Sequence, residues 1–206
     1  MAQNWSFVSA GTVATGTSTL TVGVPSSYSA GNTLIIIAAQ AGASSGPSTP
    51  SGWSSAASTT HFGIFYKTAT ASESSVSVTA PSTATTSGVM LCYSNLGVFD
   101  AASTEATATG ATTLATNTLT TTGADDLVLS AWVTNASATS WTAPASTTSR
   151  ASGLAIPALL VVDEDQSTTG ASTARTATTA PSTSIRAVAV AFKNGAARPS
   201  SMLLMF

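Results

Sequence analysis

Apolar and small polar residues alternate along most of this chain, with Thr and Val prominent, and clusters of Gly, Pro, Asn and Ser interrupt the runs. The interruptions fall at intervals of roughly 8–12 residues, the spacing of sandwich or barrel strands. The pattern predicts strands over Trp5–Val13, Ser18–Val24, Thr33–Gln40, Phe62–Thr70, Ser74–Thr79 and Gly88–Asn95. Further strands are predicted over Thr112–Thr121, Asp126–Thr134, Thr147–Ala151, Ala158–Asp163, Thr173–Thr179 and Ser184–Lys193. No stretch keeps apolar residues at helical spacing beyond two turns. In Asp100–Gly110 the Thr residues oppose helix through lost rotamer freedom, so one short helical turn is the most it is expected to form.

The chain also repeats itself. Thr79-Ala80-Pro81-Ser82-Thr83 recurs as Thr179-Ala180-Pro181-Ser182-Thr183, and each copy leads into a hydrophobic strand, Gly88–Tyr93 and Ala187–Phe192. Upstream, Gly31–Ile36 resembles Ala124–Leu129, Pro50–Trp53 has a looser counterpart in Ser140–Pro144, and Ile64–Lys67 matches Leu160–Asp163. The blocks come in the same order in both halves. Four or five short strands cannot bury one face alone, whereas two similar sheets stacked face to face bury both inner faces. The expected fold is therefore all-β: a two-sheet antiparallel β-sandwich of jelly-roll type with two similar halves, one domain over 1–195. The halves are placed at about 26–99 and 111–195, with Trp5–Pro25 as a preceding hairpin and Asp100–Gly110 as the link.

Composition sharpens this picture. Only 7% of the 206 residues are charged, against about a quarter in an ordinary soluble domain. About a third are Ser or Thr, while the 43% that are hydrophobic suffice for a core. A surface of small hydroxyls and methyls is cheap to desolvate, which points to contact with other proteins. With a net charge of −2 and no basic patch, nucleic acid is not an expected partner. The longest apolar run, Leu34–Ala39, is far short of the roughly 20 residues of a membrane helix, so no membrane is expected either. Met1–Ser6 lacks the basic and apolar regions of a secretory signal, so synthesis and folding in a cytoplasm are expected. Cys92 is the single cysteine and reads as a buried strand thiol.

Candidate chemistry is sparse. One His and one Cys cannot make a zinc site, and no glycine-rich phosphate loop precedes a helix. His61 has no nucleophile elbow to serve and reads as a cap on a strand edge beside Phe62. In Asp163-Glu164-Asp165, alternation puts Asp163 and Asp165 on one face and Glu164 on the other. These residues read first as a solvated loop end, with a Ca²⁺ site or a polysaccharide-cleaving pair as alternatives. Arg175 and Arg186 beside the last strands are expected either to pair with acids of another subunit or to be exposed. Trp53 and Trp141 occupy matching turns and could contact a glycan or partner, or plug the sandwich ends. Residues 196–206 form an apolar arm ending in Met202, Leu203, Leu204, Met205 and Phe206, expected to dock on its own sandwich or on a neighbour.

Each half runs from a Gly/Asp turn into a Leu-Ile/Val strand, then through a Pro/Gly/Trp turn to a closing Ala-Val-Ala-Phe type strand. This pattern resembles the jelly-roll domains in minor virion proteins of tailed bacteriophages, which occur in capsid decoration (cement) proteins and in head and tail fibres. The resemblance implies a non-enzymatic structural protein of the virion without cofactors, frequently a homotrimer, bound to the major capsid protein or other virion proteins. A receptor- or glycan-binding fibre module is the alternative it implies. The apolar arm has no counterpart in the pattern.

Overall fold

The computed structural model describes residues 3–42, 45–81 and 83–195, and the arm over 196–206 lies outside them. Among the described residues every regular element is a strand. The first half holds β1 (Ser6–Ala10), β2 (Ala14–Thr17), β3 (Thr19–Val22), β4 (Thr33–Ala41), β5 (Ser54–Ser58), β6 (Phe62–Thr68), β7 (Val76–Thr79) and β8 (Thr85–Ser94). The second holds β9 (Leu96–Ala102), β10 (Ala106–Ala115), β11 (Thr120–Thr121), β12 (Asp126–Thr134), β13 (Ser140–Thr142), β14 (Thr148–Gly153), β15 (Leu159–Gln166), β16 (Gly170–Ala171) and β17 (Thr176–Asn194).

All pairing is antiparallel, and each half builds its own sheet. Sheet 1 runs β5-β6-β4-β8-β2-β3-β7, with β1 continuing the β2 side of β8. Sheet 2 runs β14-β15-β12-β17-β10, with β9 and β13 also on β17. The sheets stack into a two-sheet β-sandwich, and one apolar cluster draws from both: Ile35, Ile37, Val89, Leu91 and Tyr93 meet Leu127, Leu129, Val161, Val188, Val190 and Phe192. The sandwich is the predicted fold. Its jelly-roll refinement is not established by the pairing, because the strands do not alternate between sheets: β1–β8 all stay in sheet 1.

The ladders correct the reading in several places: β5 and β13 are not among the predicted strands, and the strand predicted over Thr112–Thr121 is divided between β10 and β11. Asp100–Gly110 is not a link between halves but the end of β9, a short connection and the first half of β10. Trp5–Pro25 is not a hairpin of two long strands: β1 and β2 both lie along β8, and only β2 turns back into β3. The two final predicted strands are one, β17, whose ladder to β10 shifts register between Ala108 and Thr113, opposite the stretch containing Pro181. A bulge there accommodates a residue without an N–H to donate.

The pairing makes the repeat longer than the sequence blocks suggest. β1–β3 correspond to β9–β11, β4–β6 to β12, β14 and β15, and β7 and β8 to β16 and β17. With Leu91 matched to Val190, the ladders put Ile35 on the rung of Leu129 and Ile64 on that of Val161. Matching Ile64–Lys67 to Leu160–Asp163 is thus one residue out of step, and in a strand one residue reverses the face. On the correct rung Tyr66 matches Asp163. Edge-to-face ring pairs repeat as well: Phe7–Tyr93 at 5.5 Å in one half and Phe99–Phe192 at 5.9 Å in the other.

The outer faces are covered too. Leu20, Val22 and Val78 of β3 and β7 close over Leu34, Ile36, Met90 and Cys92. In sheet 2, Leu114, Ala177 and Trp141 cover Trp132, Leu160 and Ile185, while Leu119 covers Val128 and Ala191. Because the sheets share one core, we expect Ile37→Ala and Leu129→Ala each to cost about 3 kcal/mol within a single cooperative denaturant transition. Two separate transitions would show the sheets unfolding independently.

Candidate functional site

Most of the scarce charges pair within the chain. At one end of the sandwich β15 carries Asp163 toward the inter-sheet space, in line with Leu159 and Val161. Asp163 is not a solvated loop residue: it is 1% exposed. Its Oδ2 accepts hydrogen bonds from Tyr93 Oη at 2.8 Å and from Arg150 Nε at 2.7 Å, and the Arg150 guanidinium lies 4.3 Å from the Phe7 ring centroid. Burial pushes the Tyr93 hydroxyl well above its ordinary pKa, and the Asp163 charge adds to this. Phe7, Arg150 and Asp163 border a hollow of about 410 Å³ that also includes Trp5, Thr148, Glu164 and Asp165. On the corresponding rung of the other half, Tyr66 stacks on Phe99 and meets Phe192 edge-on, beside a second hollow of about 410 Å³.

Asp163 and Asp165 share a face as predicted, and Glu164 points the other way to form an ion pair with Arg175. Arg175 therefore has its acid in its own chain, contrary to both expectations for it. Asp163 is committed to Arg150, and among the described residues no group of three or more His, Cys, Asp or Glu side chains is placed to hold a metal ion. Asp165 is largely exposed, yet its carboxyl is held above the usual carboxylate range, first by partial desolvation and then by the charges of Asp125, Asp126 and Glu164.

At the opposite end His61 sits in the turn between β5 and β6. It does more than cap a strand edge: Nδ1 lies 2.6 Å from Glu105 Oε1, and the backbone N–H of His61 donates to Glu105 Oε2 at 3.1 Å. Thr59 Oγ1 donates to the same carboxylate. Burial alone would raise the Glu105 carboxyl, but the bonds from His61 and Thr59 prevail and hold it below the usual range. Glu105 and Arg150 escape sequence reasoning because each stands alone among Ser, Thr and Ala, and only the ladders bring their partners to them. Arg186 projects between the sheets beside this end and has no carboxylate partner among the described residues.

Trp53 and Trp141 take equivalent places as half-buried rings against the outer-face clusters, not at the sandwich ends. Lys67 Nζ lies 5.3 Å from the Trp53 ring centroid, and Trp141 Nε1 is buried without a partner. Cys92 is buried, with its thiol pushed up to about 11 by that burial. Met202, Leu203, Leu204, Met205 and Phe206 lie outside the described residues.

The chain matches no protein-family model and no curated protein. A solved structure of a conserved protein of unknown function from Pseudomonas aeruginosa PAO1 aligns with 92% of this chain and 86% of its own length, at 12% identity and a TM-score of 0.29.

Removing Arg150 strands a buried carboxylate, so we expect Arg150→Ala to cost about 2–3 kcal/mol in urea unfolding at neutral pH. For Asp165 the sign is opposite. A carboxyl whose folded pKa is raised destabilises the fold above that pKa and ceases to do so as pH falls through it. Asp165→Asn should therefore stabilise at neutral pH by about 0.5 kcal/mol or less, since the group is exposed and screened. The gain should vanish at a pH below the ordinary carboxylate range, read from paired urea melts.

Proposed function

We propose that this protein is a non-enzymatic structural subunit of a bacteriophage virion, a capsid decoration protein that holds to the head through protein–protein contacts. The observation that carries the reading is the internal closure of its charge. Lys67 pairs with Glu73, Arg150 with Asp163, Arg175 with Glu164 and Lys193 with Asp100. Four of the five described cations are thus spent inside the fold, and the surface left to meet a partner is largely Ser, Thr and Ala. Such a surface gives up water cheaply and carries little charge to repel a neighbour. Decoration of a particle surface uses both properties.

The phage assignment itself rests on the resemblance of the strand pattern to virion proteins. The glycan-binding alternative draws no support from Trp53, whose ring lies beneath Lys67 and against the core of its own sheet.

Light scattering on the purified full chain should give a homotrimer, and the protein should co-sediment with particles assembled from the major capsid protein. A monomer that stays in the supernatant while the capsids pellet would refute the reading.

A further inference from the structure

We propose that the end of the sandwich around Arg186 is a binding site for a short aliphatic monocarboxylate. The cavity there measures about 250 Å³ and lies where β4, β12, β17 and the β5–β6 turn converge. This is room for one small acid and not for a folded segment. Gln40 and Thr134 border it, but alternation sends their side chains to the outer faces with Ile36 and Trp132, so they take no part.

Arg186 sets the charge of the occupant. It shares the parity of Val188 and Val190, which face the inter-sheet core, and its ladder partner Val133 faces the same core. Its guanidinium is half-buried and makes one hydrogen bond, 3.5 Å long, to the Ile185 carbonyl. The described residues include every Asp and Glu of the chain, and none of them pairs with it. A cation partly withdrawn from water calls for an anion, and the planar fork of a guanidinium matches a carboxylate. Asn135, two residues beyond Val133, adds a donor to the same cavity. Its Oδ1 accepts from Thr183 Oγ1 and Ser184 N, which leaves Nδ2 to donate.

The other walls limit the occupant to one negative charge and a short apolar body. His61 lines the cavity with its ring held through Nδ1 by Glu105, so one carboxylate already stands behind the imidazole. A dianion would bring a second charge that Arg186 alone cannot balance. Val133 and Ala41 supply buried apolar wall, Ala41 from the parity of Ile35, Ile37 and Ala39. Acetate or propionate meets both demands, with the carboxylate on Arg186 and the alkyl group against Val133 and Ala41. A glutamate side chain of another protein ends in the same chemistry. The site does not depend on the assembly role: its presence or absence leaves that reading untouched.

The test is an NMR titration of the isotopically labelled full chain with propionate, with propionamide and inorganic phosphate as comparison ligands. Propionate is expected to give saturable shifts at Ala41, His61, Val133 and Asn135, propionamide none, and phosphate weaker binding than propionate. Arg186→Met should weaken propionate binding by about tenfold or more, and Arg186→Lys, which keeps the charge but loses the fork, by less. Thermal unfolding of both variants checks the fold, and the Lys variant and propionamide carry the test if the Met variant does not fold. A glutamate residue blocked at both ends, titrated in parallel, separates the two sources of the carboxylate. Binding as tight as propionate's supports the site as one for a partner's side chain, and weaker binding supports it as one for a free acid. Absence of saturable propionate shifts overturns the proposal. So does equal binding of propionamide or phosphate, or undiminished propionate binding in the folded variants.

Discussion

β4 and β12 have no wet face: all nine residues of each are buried. Burying the inner faces needs only that the two sheets stack. Burying the outer faces needs something more, because a sandwich ordinarily leaves them to water. Each half solves this by folding its own flanking segments back over its central strands, with β3 and β7 in one case and Leu114, Leu119, Trp141 and Ala177 in the other. The chain thereby closes four sheet faces with its own residues. It needs small side chains to do so, since layers this thin leave little room for long polar ones, and Ser, Thr, Ala and Val meet that demand.

The same constraint decides where charge can sit. A carboxylate or guanidinium inside such layers would lose its water without compensation. The charged groups are therefore displaced to strand ends and hollows, and most are met by a partner: Asp163 by Arg150 and Tyr93, Glu105 by His61 and Thr59, Asp126 by the N–H groups of Gly123 and Asn194. Burying an ion pair is a weak source of stability compared with an apolar group of the same volume. The Arg150–Asp163 pair occupies a rung where the other half has the aromatic contacts of Tyr66, so at that end packing energy has been exchanged for polar specificity.

Much of this was legible in the sequence. The runs around Leu34–Ala39, Val89–Tyr93, Leu127–Val133 and Val188–Phe192 carry enough bulk to announce the central strands, and the repeated Thr-Ala-Pro-Ser-Thr announces the two halves. β9 and the first part of β10 were missed, while the strand predicted from Thr112 took in the end of β10; the Ala- and Thr-rich stretch between them is too weakly apolar to separate a strand from a linker. Leu96, Val98, Phe99 and Leu114 were the bulky hints, and all but the exposed Val98 pack against buried clusters. β17 was divided at Pro181 because a proline ordinarily ends a ladder, and only the bulge opposite it shows how the strand continues. The partners of His61 and Asp163 lie 44 and 13 residues away in sequence, at separations no local pattern encodes.

The internal repeat also says where to look for chemistry. Two halves with the same ladder provide two copies of every rung, and most pairs of copies hold residues of one kind: Leu91 and Val190, Ile64 and Val161, Tyr93 and Phe192. A rung that is neutral in one half and charged in the other marks a place where symmetric packing has been given up. Tyr66 and Asp163 form one such pair, and Ser87 and Arg186, set by the same register, form another. Arg150 and Tyr93 answer the Asp163 charge from within the chain, so the asymmetry there closes on itself. Around Arg186 it does not close: the guanidinium makes one long bond, to the Ile185 carbonyl, and meets no carboxylate among the described residues. A half-buried guanidinium without a carboxylate costs more than the apolar residue such a rung could hold, so symmetric packing does not account for it.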